Sequence, residues 1–333
     1  MGSMYSLNVL VSADIGDANL RKITAIDSRI SLRNISSLSR AESDGDPNAR
    51  EKLDLLLAEA EVLFGTRFLQ NITARAPKLK WIQAMSAGVN SALSTEIAES
   101  PLIITSVSGI NSGPVGELVL GLMLMFVKKA PLCFQLKQEK KWRSLRSAVL
   151  QSKTVGIVGL GNIGREVARL SKAFGMRVLA TRRSVSRHGK APSVDKVFPQ
   201  TELPKLLKES DFVVLAVPLT QETNKFFGEE NLRTMKPTAY LINVSRGDVV
   251  DEEALIRGLD EHWITGAGLD VFSTEPLPVD SRLWELPNVI LSPHISGITE
   301  DYASRVTELF SRNLKLYLDG EPLINVIDKV KGY

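Results

Sequence analysis

The chain has 333 residues, 44% of them hydrophobic and 24% charged, with a formal net charge of +3. These are the proportions of an ordinary globular protein of about two domains, and so small a charge gives no ground for a nucleic-acid or membrane partner. The single cysteine, Cys133, excludes an intrachain disulfide and a cysteine-rich zinc site, and no metal is expected. By residue type it reads as a small buried hydrophobe.

The opening, MGSMYSLNVLVSADIGD, has neither the basic stretch nor the cleavage motif of a secretory leader, so the cytoplasm is the expected location. Short apolar runs at 7–11, 61–64, 81–84 and 102–105 then read as strands, with helical patterns at 46–60 and 67–76 between them. This alternation predicts a parallel sheet with helices on both faces. Asn111-Ser112-Gly113-Pro114 opens an apolar helix to about residue 129, expected to cross between domains. Its most apolar part, 118–127, is too short to span a bilayer and is flanked by Glu117 and Lys128.

A second alternating series follows, with strands at 155–159, 177–181, 212–217, 239–243, 266–269 and 289–291. They are near-continuous hydrophobic runs, as strands covered on both faces must be. Ile163, Val167, Leu170 and Phe174 recur at helical spacing after the first, and Gly175 is the expected C-terminal stop. A final helix, 299–318, is free to return to the first domain.

At the first strand of this series the sequence reads VGLGNIG, which holds G-x-G-x-x-G between a strand and a helix. Gly159 permits the tight turn, Gly161 lets a pyrophosphate approach the backbone, and Gly164 allows close helix–strand packing. The helix N-terminus then offers N–H groups and a positive dipole end to phosphate. The string alone is weak evidence, but in this strand–helix setting it predicts a dinucleotide-binding Rossmann unit.

The end of the next strand selects the dinucleotide. NAD enzymes usually place an acid there for the ribose 2′-hydroxyl. This chain has Thr181-Arg182-Arg183-Ser184 instead. Arg182 and Arg183 suit a 2′-phosphate through charge-assisted forked hydrogen bonds, with Ser184 as a further donor. NADP is therefore expected ahead of NAD, with NAD still possible. The competing reading is a solvated basic loop, since Arg187 and Lys190 follow.

Three later strand ends carry groups suited to hydride transfer on a 2-oxo acid. That reaction needs a cation for the carboxylate and a proton donor for the carbonyl oxygen. Arg246 offers a planar fork that matches a carboxylate. His294 offers a side chain of the type that titrates near neutrality, and Glu275 offers a carboxylate to orient it. Each residue alone is weak, because an Arg-Gly is usually a turn and a lone histidine is more often structural. His188 and His262 lack such a setting and read as surface or structural.

Taken together and in order, VGIVGLGNIGREVARLSKAFGMRV, LINVSRGDVVDEEAL, GAGLDVFSTEPLP and LWELPNVILSPHISG resemble the D-isomer-specific 2-hydroxyacid dehydrogenases over nearly the whole chain. The resemblance implies an α/β protein of two domains with doubly wound parallel sheets. A Rossmann cofactor domain, 109–297, would be inserted into a flavodoxin-like substrate-binding (catalytic) domain made of 1–108 and 298–333. It implies Arg246 as substrate anchor, His294 as acid/base close to both substrate and nicotinamide, and Glu275 as its partner. Asp270 would lie near the nicotinamide, Asn162 and Ile163 at the pyrophosphate, and Val217, Pro218 and Val244 along the cofactor groove. Glu117 matches a family position at the start of the interdomain helix.

Met85-Ser86-Ala87-Gly88-Val89-Asn90 is similar to the family's S-x-G-V-D loop, with Asn90 in place of the acid. There, Ser86, Ala87, Gly88 and Val89 would hold the substrate carboxylate opposite Arg246. The missing acid at Arg182 is the main departure and points towards NADP-preferring glyoxylate or hydroxypyruvate reductases. By the same analogy Trp142 and Trp284 either approach the pocket or belong to the core, and the apolar helix from Val115 with the segment after Ala130 suggests a homodimer surface. Two other readings stay open: a phosphite dehydrogenase-like oxidoreductase, and a cofactor-sensing corepressor-like scaffold. The trio does not separate the scaffold from an enzyme, although no basic or disordered extension favours it.

Overall fold

The computed structural model of the chain describes residues 6–65, 69–88, 95–183 and 189–329, and it divides into two compact units. One comprises residues 1–110 with 299–333, and the other residues 111–298.

The first unit is built on five parallel strands: β1 (Leu7–Val11), β2 (Ile30–Asn34), β3 (Val62–Gly65), β4 (Trp81–Ala84) and β5 (Ile103–Thr105). Their order, β2-β1-β3-β4-β5, is the flavodoxin-like doubly wound order. Side chains alternate along each strand, so both faces are apolar. Leu10, Leu63, Ile82 and Ile104 pack on one side with Leu53 and Leu57 of the helix Pro47–Leu57. Val9, Val11, Phe64 and Trp81 pack on the other with Phe310 of the helix Tyr302–Asp319. Phe64 and Phe310 stack with ring centroids 4.3 Å apart. Asn313 of that helix donates to buried Gln83 at 3.0 Å, which fixes the helix in register on the sheet.

The second unit carries eight strands: β6 (Thr154–Val158), β7 (Arg177–Arg182), β8 (Gly189–Ala191), β9 (Val194–Pro199), β10 (Phe212–Leu215), β11 (Tyr240–Asn243), β12 (Gly266–Leu269) and β13 (Val289–Leu291). They are ordered β13-β12-β11-β10-β6-β7-β9-β8, parallel except at the β8–β9 edge. The order reverses between β6 and β10, which is where open α/β sheets bind ligands. The helix Asn162–Ala173 follows β6 and ends with Gly175 at φ +70°, the stop anticipated at that glycine.

Several expectations are corrected. The apolar helix Ser112–Val127 does not cross between units, since it lies wholly in the second. It buries Val115, Val119, Leu120, Met123 and Phe126 in that unit's core. Cys133 is exposed, because no residue of its helix, Ala130–Gln138, is buried. Trp142 and Trp284 are not core residues: both are exposed, and Trp284 donates its indole N–H to Pro278 O at 2.9 Å. The helix anticipated at 67–76 is reduced to Ile72–Arg75, with 66–68 outside the described residues. Strands β2, β8 and β9 were not anticipated at all.

Candidate active site

The phosphate loop follows β6 at the switch point. Gly159 has φ +100°, and a Cβ there would lie 2.6 Å from Ala216 O and 2.7 Å from Val217 Cγ1. Only glycine fits both the conformation and the space. Gly164 is equally constrained, since a Cβ would come 2.1 Å from Gly159 O. Gly161 is different: it starts the helix Asn162–Ala173, and a Cβ built on it meets nothing within 4 Å. That open approach, before a helix N-terminus that no side chain caps, fits a dinucleotide pyrophosphate.

Beside this loop and after β10, Val217 is half-buried and Pro218 exposed, whereas Val244 is buried. At the end of β7, Arg182 and Arg183 are both exposed. Arg183 Nη1 lies 3.4 Å from Glu222 Oε2, an acid that would compete with a phosphate for that guanidinium. Ser184, Arg187 and His188 lie outside the described residues.

Strands β11, β12 and β13 end level with one another, Asn243 pairing with Leu269 and Leu269 with Leu291. Arg246, Asp270 and His294 follow these three ends within three residues. Parallel pairing therefore brings three segments far apart in sequence to one edge of the sheet.

Glu275 Oε2 is 2.7 Å from His294 Nδ1, while Glu275 Oε1 accepts the Phe272 N–H at 3.0 Å. One carboxylate oxygen is thus held by backbone and the other holds the imidazole. His294 adopts φ +52°, a conformation uncommon outside glycine. Asp270, fully buried, stabilises that turn. It accepts Ser292 Oγ at 2.6 Å, Ile295 N–H at 3.0 Å and Ser296 N–H at 3.2 Å. Asp270 therefore braces the histidine loop, a contact that sequence reasoning did not anticipate.

Arg246 is exposed, and its Nη1 donates to Ser245 O at 2.7 Å. The following residue must be small: a Cβ on Gly247 would lie 1.9 Å from the Phe272 carbonyl carbon. The Arg246 turn is thereby packed against the segment that leads to Glu275.

In the first unit, the loop after β4 carries Ser86, Ala87 and Gly88, of which Ala87 is exposed. Ser86 Oγ donates to Gly88 O at 2.9 Å, and Tyr302 Oη donates to Met85 O, so the loop has internal and helical support. Val89 and Asn90 lie outside the described residues. Among the described residues no helix is long and apolar enough to cross a membrane, and no cluster of metal-ligating side chains occurs.

Residues 120–296 match the family model described as D-isomer specific 2-hydroxyacid dehydrogenase, NAD binding domain. The glyoxylate reductase of Korarchaeum cryptofilum is 38% identical over 260 residues, 76% of this chain and 77% of that one. Among solved structures, a D-isomer specific 2-hydroxyacid dehydrogenase family protein from Aeromonas salmonicida aligns with a TM-score of 0.84 at 31% identity, covering 97% of this chain and 99% of the other. An NADPH-dependent glyoxylate/hydroxypyruvate reductase from Sinorhizobium meliloti, in complex with NADP and sulfate, aligns with a TM-score of 0.83 at 25% identity over 98% of this chain and 100% of that one.

Proposed function

From the premise that this chain belongs to the D-isomer specific 2-hydroxyacid dehydrogenases, oxidoreductases acting on the CH–OH group of donors, we propose that it reduces a small 2-oxo acid of the glyoxylate and hydroxypyruvate class, with NADP preferred over NAD. The observation that carries this reading is the Glu275–His294 pair at 2.7 Å, on strand ends level with the one that presents Arg246.

When bound, the reduced nicotinamide supplies the hydride that adds to the substrate's carbonyl carbon. The chain supplies the rest. Arg246 pairs with the substrate carboxylate through its guanidinium. The backbone N–H groups of Ser86, Ala87 and Gly88, and of Val89, are the proposed second hold on a carboxylate. Glu275 engages Nδ1 of His294, which fixes the ring and leaves Nε2 for the substrate. His294 holds a proton at Nε2 and passes it to the carbonyl oxygen as the alcohol forms.

The cofactor preference rests on two exposed arginines, Arg182 and Arg183, at the end of β7, where a 2′-phosphate would meet them. Gly159, Gly161, Asn162, Ile163 and Gly164 are the proposed pyrophosphate cradle, with Ser184, Val217, Pro218, Val244 and Asp270 around the rest of the dinucleotide. We further propose a homodimer that uses the helix Ala130–Gln138 and its surroundings, where Phe134 and Trp142 are exposed without being needed in a core. Light scattering in solution tests that assignment.

The deciding experiment follows absorbance at 340 nm with NADPH and with NADH across a panel of 2-oxo acids. Turnover of glyoxylate or hydroxypyruvate, faster with NADPH, is expected. Tight NADPH binding with no turnover of any 2-oxo acid would overturn the reading in favour of a cofactor-sensing scaffold.

A further inference from the structure

We propose that Asn243 is the positioning residue of Arg246, setting where its guanidinium projects. The proposal rests on Arg246 being the carboxylate anchor.

Asn243 is the last residue of β11 and is 1% exposed, in a strand otherwise built of Tyr, Leu and Ile. A primary amide buried there costs stability unless its hydrogen-bonding groups are met. Both of its polar atoms find partners within the turn that carries Arg246. Oδ1 accepts both the N–H of Ser245, at 3.1 Å, and its hydroxyl, at 2.7 Å. Nδ2 donates to the main-chain oxygen of Arg246 at 3.0 Å. The amide orientation is dictated by chemistry, since a backbone N–H can only donate and a backbone C=O can only accept.

The same turn is tied to its neighbours. The main-chain oxygen of Asn243 accepts the Asp270 N–H at 3.1 Å, which joins the end of β11 to the segment beneath the histidine loop. At the far end, Gly247 is wedged against Phe272. Between these fixed points the Asn243 side chain spans the turn and decides its shape.

It also acts on the guanidinium. Asn243 holds Ser245 twice, and Ser245 O is the acceptor for Arg246 Nη1 at 2.7 Å. The Asn243 amide therefore fixes the backbone from which Arg246 springs and the oxygen against which its side chain leans. An exposed arginine keeps several rotamers unless something selects one. A pre-set rotamer lowers the ordering cost of binding a carboxylate.

The test compares Asn243→Ser, Ser245→Ala, the double variant and Arg246→Ala. The readouts are glyoxylate KM and kcat, inhibition by oxalate, and the NADPH dissociation constant. Asn243→Ser should raise glyoxylate KM and the oxalate inhibition constant by about tenfold, with a smaller fall in kcat and an NADPH constant within about twofold of the parent. Ser245→Ala, which removes one hydroxyl only, should act in the same direction more weakly. The double variant should be no worse than Asn243→Ser, because the Ser245 hydroxyl acts through the amide.

Wild-type KM and oxalate inhibition in Asn243→Ser would overturn the proposal, as would NADPH binding weakened in parallel with glyoxylate binding. If Asn243→Ser does not fold, an unchanged oxalate constant in Ser245→Ala overturns it instead. Arg246→Ala separates the two ideas. If that variant keeps wild-type oxalate affinity, the anchor assignment fails; if it loses affinity while the Asn243 and Ser245 variants do not, only the positioning role fails.

Discussion

Glu275 and His294 are 19 residues apart in sequence and meet at 2.7 Å through Oε2 and Nδ1. The contact exists because β12 and β13 run parallel and end level, so the segments leaving them share one edge of the sheet. The other oxygen of Glu275 is held by the Phe272 N–H. Replacing Glu275 by Gln keeps the shape and removes the carboxylate that engages Nδ1 of the ring. We expect kcat for glyoxylate reduction to fall by about 10–100-fold, as for loss of one charge-assisted hydrogen bond. His294→Ala should cost more, about 10²–10⁴-fold in kcat, with NADPH binding little changed. A His294→Ala enzyme with wild-type turnover would assign the proton to another group.

Much of this arrangement was legible in the sequence, for a physical reason. Parallel strands buried on both faces must be apolar, so β3, β10 and β12 stand out from their surroundings. Polar residues a few positions beyond an apolar run, such as Arg246 and His294, stand out as well. Edge strands obey no such rule. Ile30–Asn34 has no fully buried residue, and the β8–β9 hairpin mixes Lys, Asp and Gly with its apolar residues. Cys133 misled because residue type alone suggests a buried thiol, yet burial depends on what packs against a helix, and no residue of that helix is buried. Asn243 and Ser292 were passed over because a single polar residue in a strand shows its purpose only when its partners are in place.

The phosphate-loop glycines should separate under substitution. At Gly159 an alanine must hold φ near +100° and clash with Ala216 O, so Gly159→Ala should lose about 1–3 kcal/mol of stability. At Gly161 a methyl group meets no protein atom within 4 Å and the backbone is extended, so the fold should tolerate it. The methyl would instead occupy the approach of a pyrophosphate. Gly161→Ala should keep its melting temperature while the NADPH dissociation constant rises by about tenfold or more. Unimpaired NADPH affinity in that variant would place the phosphates elsewhere.

Arg182 is exposed at the end of β7, and Arg183 beside it faces Glu222 at 3.4 Å. With Arg183 shared in this way, Arg182 is the better placed cation for a 2′-phosphate. Arg182→Asp should lower the preference for NADPH over NADH, measured as the ratio of kcat/KM values, by about 10–100-fold. Glu222→Gln should act oppositely and more weakly, by freeing Arg183. An unchanged ratio in Arg182→Asp removes the basis for NADP preference.

Asp211 ties the sheet together ahead of β10 and gives a pH signature. Its Oδ2 accepts the Thr154 N–H at 2.8 Å and its Oδ1 accepts Lys236 Nζ at 2.9 Å. Burial alone would push this carboxyl up, but the Thr154 N–H and the Lys236 ammonium outweigh it and hold it below its ordinary value. The folded state therefore binds its proton less readily than the unfolded chain does. The resulting stabilisation is complete above the unfolded aspartate value, near about 4, and is lost as pH falls through the lower folded value. Asp211→Ala should cost about 1–2 kcal/mol at neutral pH, where the carboxylate makes both bonds. The deficit should narrow as pH falls from about 4 through the lower folded value, as the parent protein loses the same contribution by protonation. Urea midpoints for both proteins across that range measure it; a deficit that stays constant to the acid end would mean that the Asp211 charge adds nothing to the fold.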